Sequence, residues 1–274
     1  MCPWRHRSQN EMGHTMHVSA LMVVSTFAFT LWAALAAASA QAPPATFVDL
    51  TYPSDALAAR TDGVVIVQVK TDGSGRIVEA ESLVGPLMLA RAVVANVKGW
   101  TLGPGPATDW LVFRFEIESG RCNDDGHSLF RLVHWNLAVV TACTAPARGF
   151  APRPPEDPLY LRSMGSTPVY PQIAQSANAR GVAILELTVD ADGAVTAVRA
   201  LNDLPLLAPA AVAHAKTWRV WPGPPGRRFA VYEFTLENFV CEPESMTFLT
   251  RVEANYLRLT GCRPVIQVAT RGGA

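Results

Sequence analysis

The apolar and polar positions of the chain follow one ordered pattern, which then recurs. In residues 170–237 it begins at Tyr170 and Pro171, and a short Ala-rich segment predicts a helical turn before Gly181. Residues 182–189 are apolar and partly alternating, as in a half-buried strand. Asp190, Asp192 and Gly193 mark a turn, in which Gly193 is free to take positive φ. A second strand is predicted over 194–200. Leu207, Ala210, Ala211, His214 and Trp218 then recur at helical spacing, and the Pro-Gly run from Trp221 to Gly226 ends that helix. A third strand is predicted over 229–237. Ala230, Tyr232, Phe234 and Leu236 lie on its core-facing side, and Phe229, Val231, Glu233 and Thr235 lie on the other.

Residues 52–118 repeat this order. An offset of 118 maps Tyr52 and Pro53 on Tyr170 and Pro171, Gly63 on Gly181, Asp72 on Asp190, Gly75 on Gly193 and Trp100 on Trp218. After one extra residue the offset becomes 119, which maps Phe115 on Phe234 and Glu118 on Glu237. Two copies are too few for a solenoid, so the repeat predicts two complete small domains. The expected division is a first domain at 41–143, a Pro-rich linker at 144–167, a second domain at 168–265 and a C-terminal tail at 266–274. Pro146, Pro152, Pro154, Pro155 and Pro158 make that linker an extended, semi-rigid spacer.

Residues 1–40 read as an export signal. Arg5, His6 and Arg7 precede an apolar run, and Ala38, Ser39 and Ala40 form a small-residue cleavage pattern. A retained anchor in the inner membrane is the other reading, since about 20 apolar residues span a bilayer. Both readings send the rest of the chain to the periplasm, and membrane contact follows only if the segment is retained. In that oxidising compartment Cys122 and Cys143 have 20 residues between them, and so do Cys241 and Cys262. Three pairings are open, and the duplication favours one bridge per repeat, Cys122–Cys143 and Cys241–Cys262. Each bridge is worth roughly 2–4 kcal/mol. The segments between the cysteines align with each other and suit two short strands or one irregular helix, with strands preferred.

Composition narrows the function. Hydrophobic residues at 49% and charged residues at 17% describe a globular chain, and a formal net charge of zero recommends neither nucleic acid nor an anionic surface. No nucleophile elbow, zinc-protease motif or phosphate loop occurs, and Asp190 and Asp192 read as turn formers. His127 and His134 have Met246 and Glu253 at the matching positions, and His214 matches Asn96. Packing explains these histidines better than metal binding does. The residues offer only thin catalytic constellations, and no cofactor and no metal are expected.

The ordered set of Tyr170-Pro171, Gly181, the Asp190–Gly193 hairpin, Lys216 to Arg219, Trp221-Pro222 and the last alternating strand resembles the C-terminal domain of the TonB energy-transducer family. The resemblance implies a binding module, not an enzyme, and an α+β fold. Each of the two tandem small domains would be an antiparallel sheet of about three strands with helices on one face, plus a disulfide-closed tail. It also implies that an extended peptide segment of an outer-membrane transporter, or another envelope protein, is bound by strand addition along the last strand. The expected partner-binding residues are Tyr170, Pro171, Phe229, Val231, Glu233 and Thr235, on a free edge at 229–237 or its duplicate at 110–118. The alternative is a structural or adaptor envelope protein that keeps the fold without energy transduction. In that case the Cys241–Cys262 tail folds back on the same edge.

Overall fold

Each half of the chain opens with a buried tyrosine and a proline-capped single-turn helix. The computed structural model describes residues 46–103, 108–119, 128–144, 161–241, 247–252 and 255–264. Helices α1 (Ser54–Ala58) and α3 (Gln172–Ser176) each follow a proline N-cap, whose fixed φ suits a helix start. Each ends where one residue takes positive φ, Arg60 at 51° and Asn178 at 53°. The chain thus turns back, and the Tyr52 hydroxyl donates to Thr61 O at 2.7 Å while Tyr170 donates to Ala179 O. The tyrosine rings stand edge-on to Phe115 and Phe234, both at 5.3 Å between centroids.

In the first half, β1 (Gly63–Thr71), β2 (Ile77–Val84), α2 (Leu87–Val97), β3 (Thr108–Ser119), β4 (Ser128–His134) and β5 (Leu137–Thr144) follow. In the second half, β6 (Leu161–Met164) precedes α3. Then come β7 (Gly181–Val189), β8 (Val195–Ala200), α4 (Ala208–Ala215), β9 (Trp218–Val220), β10 (Gly226–Cys241), β11 (Thr247–Val252) and β12 (Tyr256–Pro264). The span expected to be a spacer therefore ends in β6, which pairs antiparallel with β9.

The two large sheets share one strand order, β2-β1-β3-β5-β4 and β8-β7-β10-β12-β11. β1 and β7 even share the same alternation of burial. The hairpin loops after β1 and β7 need glycine. At Gly75 (φ 88°) and Gly193 (φ 80°) an added Cβ would sit 1.6 Å from Leu102 O and 2.1 Å from Val220 O.

The expectation of two small three-stranded α+β domains, each with a tail outside its sheet, is overturned. Among the described residues strand outweighs helix, and the longest helix there has 11 residues. Each sheet has five strands and is mixed, because β5 runs parallel to β3 and β12 parallel to β10. The expected tail is not an appendage but a hairpin, β4–β5 or β11–β12, built into the sheet. Cys143 and Cys262 are both disulfide-bonded, while Cys122 and the side chain of Cys241 lie outside the described residues, so the partners of the two bonds are not described.

The helix-side faces of the sheets bury separate cores. Trp100, Phe113 and Val140 belong to one, and Trp218, Tyr232 and Leu259 to the other. The opposite faces bury a third cluster together. Val64, Ile66, Val112 and Leu137 of the first half meet Val182, Ile184, Phe229, Val231 and Tyr256 of the second. Residues 41–274 consequently form one compact unit, with two sheets stacked face to face. The sequence carried a sign of this, because strands buried on both faces read as continuous apolar runs, as 64–67 and 182–185 do.

Candidate functional site

β10 is the strand on which the expected binding site rests, and it lies inside its sheet. One side pairs with β7 from Gly226 to Phe234, and the other with β12 from Val231 to Cys241. The expected free edge is therefore corrected. The duplicate is closed in the same way, since β3 lies between β1 and β5. The physical cause is the returning hairpin, which satisfies the backbone groups that an open edge would leave for a peptide.

The expected contact residues follow β10 inward. Val231 and Glu233 are fully buried, Phe229 is buried and Thr235 is half-buried, with its hydroxyl 2.9 Å from that of Thr260. Tyr170 is buried under Phe234, and Pro171 is the half-buried N-cap of α3. Ala230, Tyr232, Phe234 and Leu236 do face the helix-side core. The unpaired edges among the described strands are β2 and β4 in the first sheet and β8 and β11 in the second.

A polar bridge crosses between the stacked sheets at Glu233. Its carboxylate accepts hydrogen bonds from the Tyr256 hydroxyl and, at 2.5 Å, from Arg258 Nε. Arg114 Nη1 of the first half donates to the Tyr256 hydroxyl at 3.2 Å, and its guanidinium lies 5.0 Å from the centre of that ring. Arg114 also pairs with Glu116 at 2.7 Å, and His134 Nε2 stands 3.7 Å from Glu233. Burial alone would raise the Glu233 pKa. Hydrogen bonds from Tyr256 and Arg258, the Arg258 charge and the nearby His134 ring outweigh burial and hold it at about 2. Burial, and next the Glu233 charge, push the Tyr256 phenol far up. The bridge is thus an ionised carboxylate fixed among donors, not a proton donor in waiting.

This cluster was missed in the sequence. Glu233 was placed on the side opposite the core, although its neighbours on that side, Val231 and Phe229, are apolar. A charged residue among apolar ones on a supposedly solvated face was the available signal. Tyr256 and Arg258 gave none, since nothing local places β12 beside β10.

His134 of the expected tail histidines joins this bridge, and His127 lies outside the described residues. Among the described residues no group of three or more His, Cys, Asp or Glu side chains is arranged to hold a metal ion. Among the same residues no helix is long and apolar enough to cross a membrane.

Residues 166–236 match the family model of the Gram-negative bacterial TonB protein C-terminal. The matched stretch runs from the segment before α3 into β10 and stops short of β11 and β12. No curated protein and no solved structure matches the chain.

Proposed function

We propose that the chain is an exported TonB-like protein of the cell envelope in its adaptor form. Its first half is a second module of the same kind, and β12 and β5 occupy the edges that the resemblance assigns to a transporter peptide. The observation that carries this reading is the parallel ladder between β10 and β12, which runs from Val231 to Cys241. It supports a module that holds its own strand where the family would accept a foreign one. The matched family supports the envelope location and a link to energy-coupled transport through protein contact, with no chemistry carried out.

The test is hydrogen exchange of the free protein, followed by titration with a synthetic extended peptide from an outer-membrane transporter. Amides of 231–237 should be protected throughout and should not respond to the peptide. Fast exchange at alternate amides of that span, slowed by the peptide, would overturn the adaptor reading.

A second reading rests on β8 (Val195–Ala200), which pairs with β7 alone among the described strands. Strand addition by a partner would then fall on β8, and peptide-induced protection at 195–200 would favour it.

A further inference from the structure

The registers of the two sheets make Arg114 and Glu233 equivalent positions. Arg114 sits opposite Val64 on β1 and Val139 on β5, and Glu233 sits opposite Val182 on β7 and Arg258 on β12. Leu137 and Tyr256 are equivalent in the same way, opposite Val112 and Val231. Both pairs lie where the two sheets meet, and both differ in chemistry between the halves. The first half contributes Arg114 and His134 to the polar bridge, and the second contributes Glu233, Tyr256 and Arg258.

Two like faces stacked about a two-fold axis would bring each position against the counterpart it meets now, but from the same half. Between two first-half faces, Arg114 would meet Leu137 in place of the Tyr256 hydroxyl and ring. His134 would meet Arg114 in place of Glu233. Between two second-half faces, the Tyr256 ring would meet a carboxylate in place of a guanidinium. A carboxylate over the negative face of an aromatic ring is repelled where a cation is attracted. Each half keeps its own charge pairs, Arg114 with Glu116 and Glu233 with Arg258, so a like pairing is penalised through the cross-sheet contacts of the Tyr256 ring and of His134.

We propose that the buried face of each sheet is a recognition surface for the opposite half of the same kind of chain, with Arg114 and Glu233 as the residues that reject a like face. The partner each face fits is a sheet of opposite polarity at this one position, so the chain closes on itself and does not pair through these faces with a second copy. Specificity here comes from what the wrong pairing would bury as much as from what the right one gains. The inference stands on the packing of the two sheets and does not depend on the family reading.

The full-length protein tests it by urea unfolding of two matched sets. Arg114→Glu places a carboxylate under the Tyr256 ring, and Glu233→Arg places a cation beside His134. Each is made with its same-sheet neighbour neutralised, Glu116→Gln or Arg258→Gln, so that only the cross-sheet contact is reversed, and the glutamine controls carry the same background. Arg114→Gln and Glu233→Gln remove the charge without reversing it. Each reversed variant should have a folded-to-unfolded ratio lower than its neutral counterpart by about tenfold or more. A reversed variant that does not fold while its glutamine counterpart does counts as such a loss. A difference below about tenfold at either position overturns the proposal, and so does failure of both glutamine variants to fold, which would make the pair a plain structural requirement. Light scattering on the wild-type chain should give a monomer, and a wild-type dimer that Arg114→Glu disperses would also overturn it.

Discussion

In the first half Trp100 Nε1 donates to Asn96 Oδ1 at 2.9 Å, and Asn96 Nδ2 donates to Asp49 O at 3.3 Å. In the second half Trp218 Nε1 donates to His214 Nδ1 at 3.3 Å, and His214 Nε2 stands 2.8 Å from Ser166 O. One helical residue thus ties the central indole to the segment that precedes the half, as an amide in one case and as an imidazole in the other. Ser166 O only accepts and the indole N–H only donates. These partners fix the neutral imidazole with its proton on Nε2, and Tyr232 Oη, 2.7 Å from Nδ1, acts as a second donor. The difference teaches that one geometric task can be met with or without a titratable group. At this contact only the second half then carries a titratable group.

The largest test of the parallel is to remove both indoles, one at a time. Trp100 and Trp218 are buried in separate cores, so Trp100→Ala and Trp218→Ala should each cost about 3–5 kcal/mol. In urea unfolding both should lower one shared transition, because the two sheets bury a common third cluster. Two separate transitions would break the comparison into independent domains.

Next come the hairpin glycines. Gly75→Ala and Gly193→Ala should each cost about 2–3 kcal/mol in urea unfolding, from positive φ together with a clash against a carbonyl oxygen. Gly73→Ala is the control, since its φ is 83° but nothing lies within 4 Å of its added Cβ. It should cost less than half as much.

The pH contrast is sharper but smaller. Burial holds the His214 pKa below its ordinary value of 6.5, against the opposing hydrogen bond to Ser166. The unfolded chain therefore takes up the proton first, and stability falls as pH drops below 6.5, until the folded-state pKa is reached. The slope is at most about 1.4 kcal/mol per pH unit. No charged group contributes to this shift, so no carboxylate offsets the imidazolium. His214→Asn, which copies the first half, should flatten thermal stability between pH 6.5 and 5, whereas Asn96→His should steepen it. Glu233 leaves that window undisturbed, since a carboxylate held at about 2 in the folded state and near 4.5 otherwise loses its contribution only in stronger acid.

The smallest effect concerns the paired tyrosines. Tyr52→Phe and Tyr170→Phe each delete one hydroxyl bond to a backbone carbonyl and keep the ring on Phe115 or Phe234. Each should cost about 1 kcal/mol, measured by urea unfolding, with the two values close together.

What the sequence made legible was local. The order of helical turn, strand, hairpin, helix and strand in each half can be read from period and turn residues. So can the inward set on β10, because Ala230, Tyr232, Phe234 and Leu236 alternate with a period of two. The placement of β12 between β10 and β11 was not legible. A parallel pairing joined through an intervening strand leaves no periodic trace, and so β10 was expected at an edge that it does not occupy. The stacking of the two halves was half-legible. Val112 and Val231 made the second faces too apolar for solvent, but nothing local said that each face covers the other. The polar bridge was hidden for the same reason, since Arg114 and Glu233 make sense only once both sheets are in place.

The returning hairpins also set an order of events. A chain emerges from the ribosome N-terminus first, and β10 is complete at Cys241 while its neighbour β12 ends only at Pro264. Until the later strand arrives, one side of β10 offers unpaired amides and carbonyls to any extended chain nearby. The first half has the same interval between β3 and β5, and both strands precede the second half in the chain. In each half, among the described strands, the one that closes this exposed side is the last in the chain.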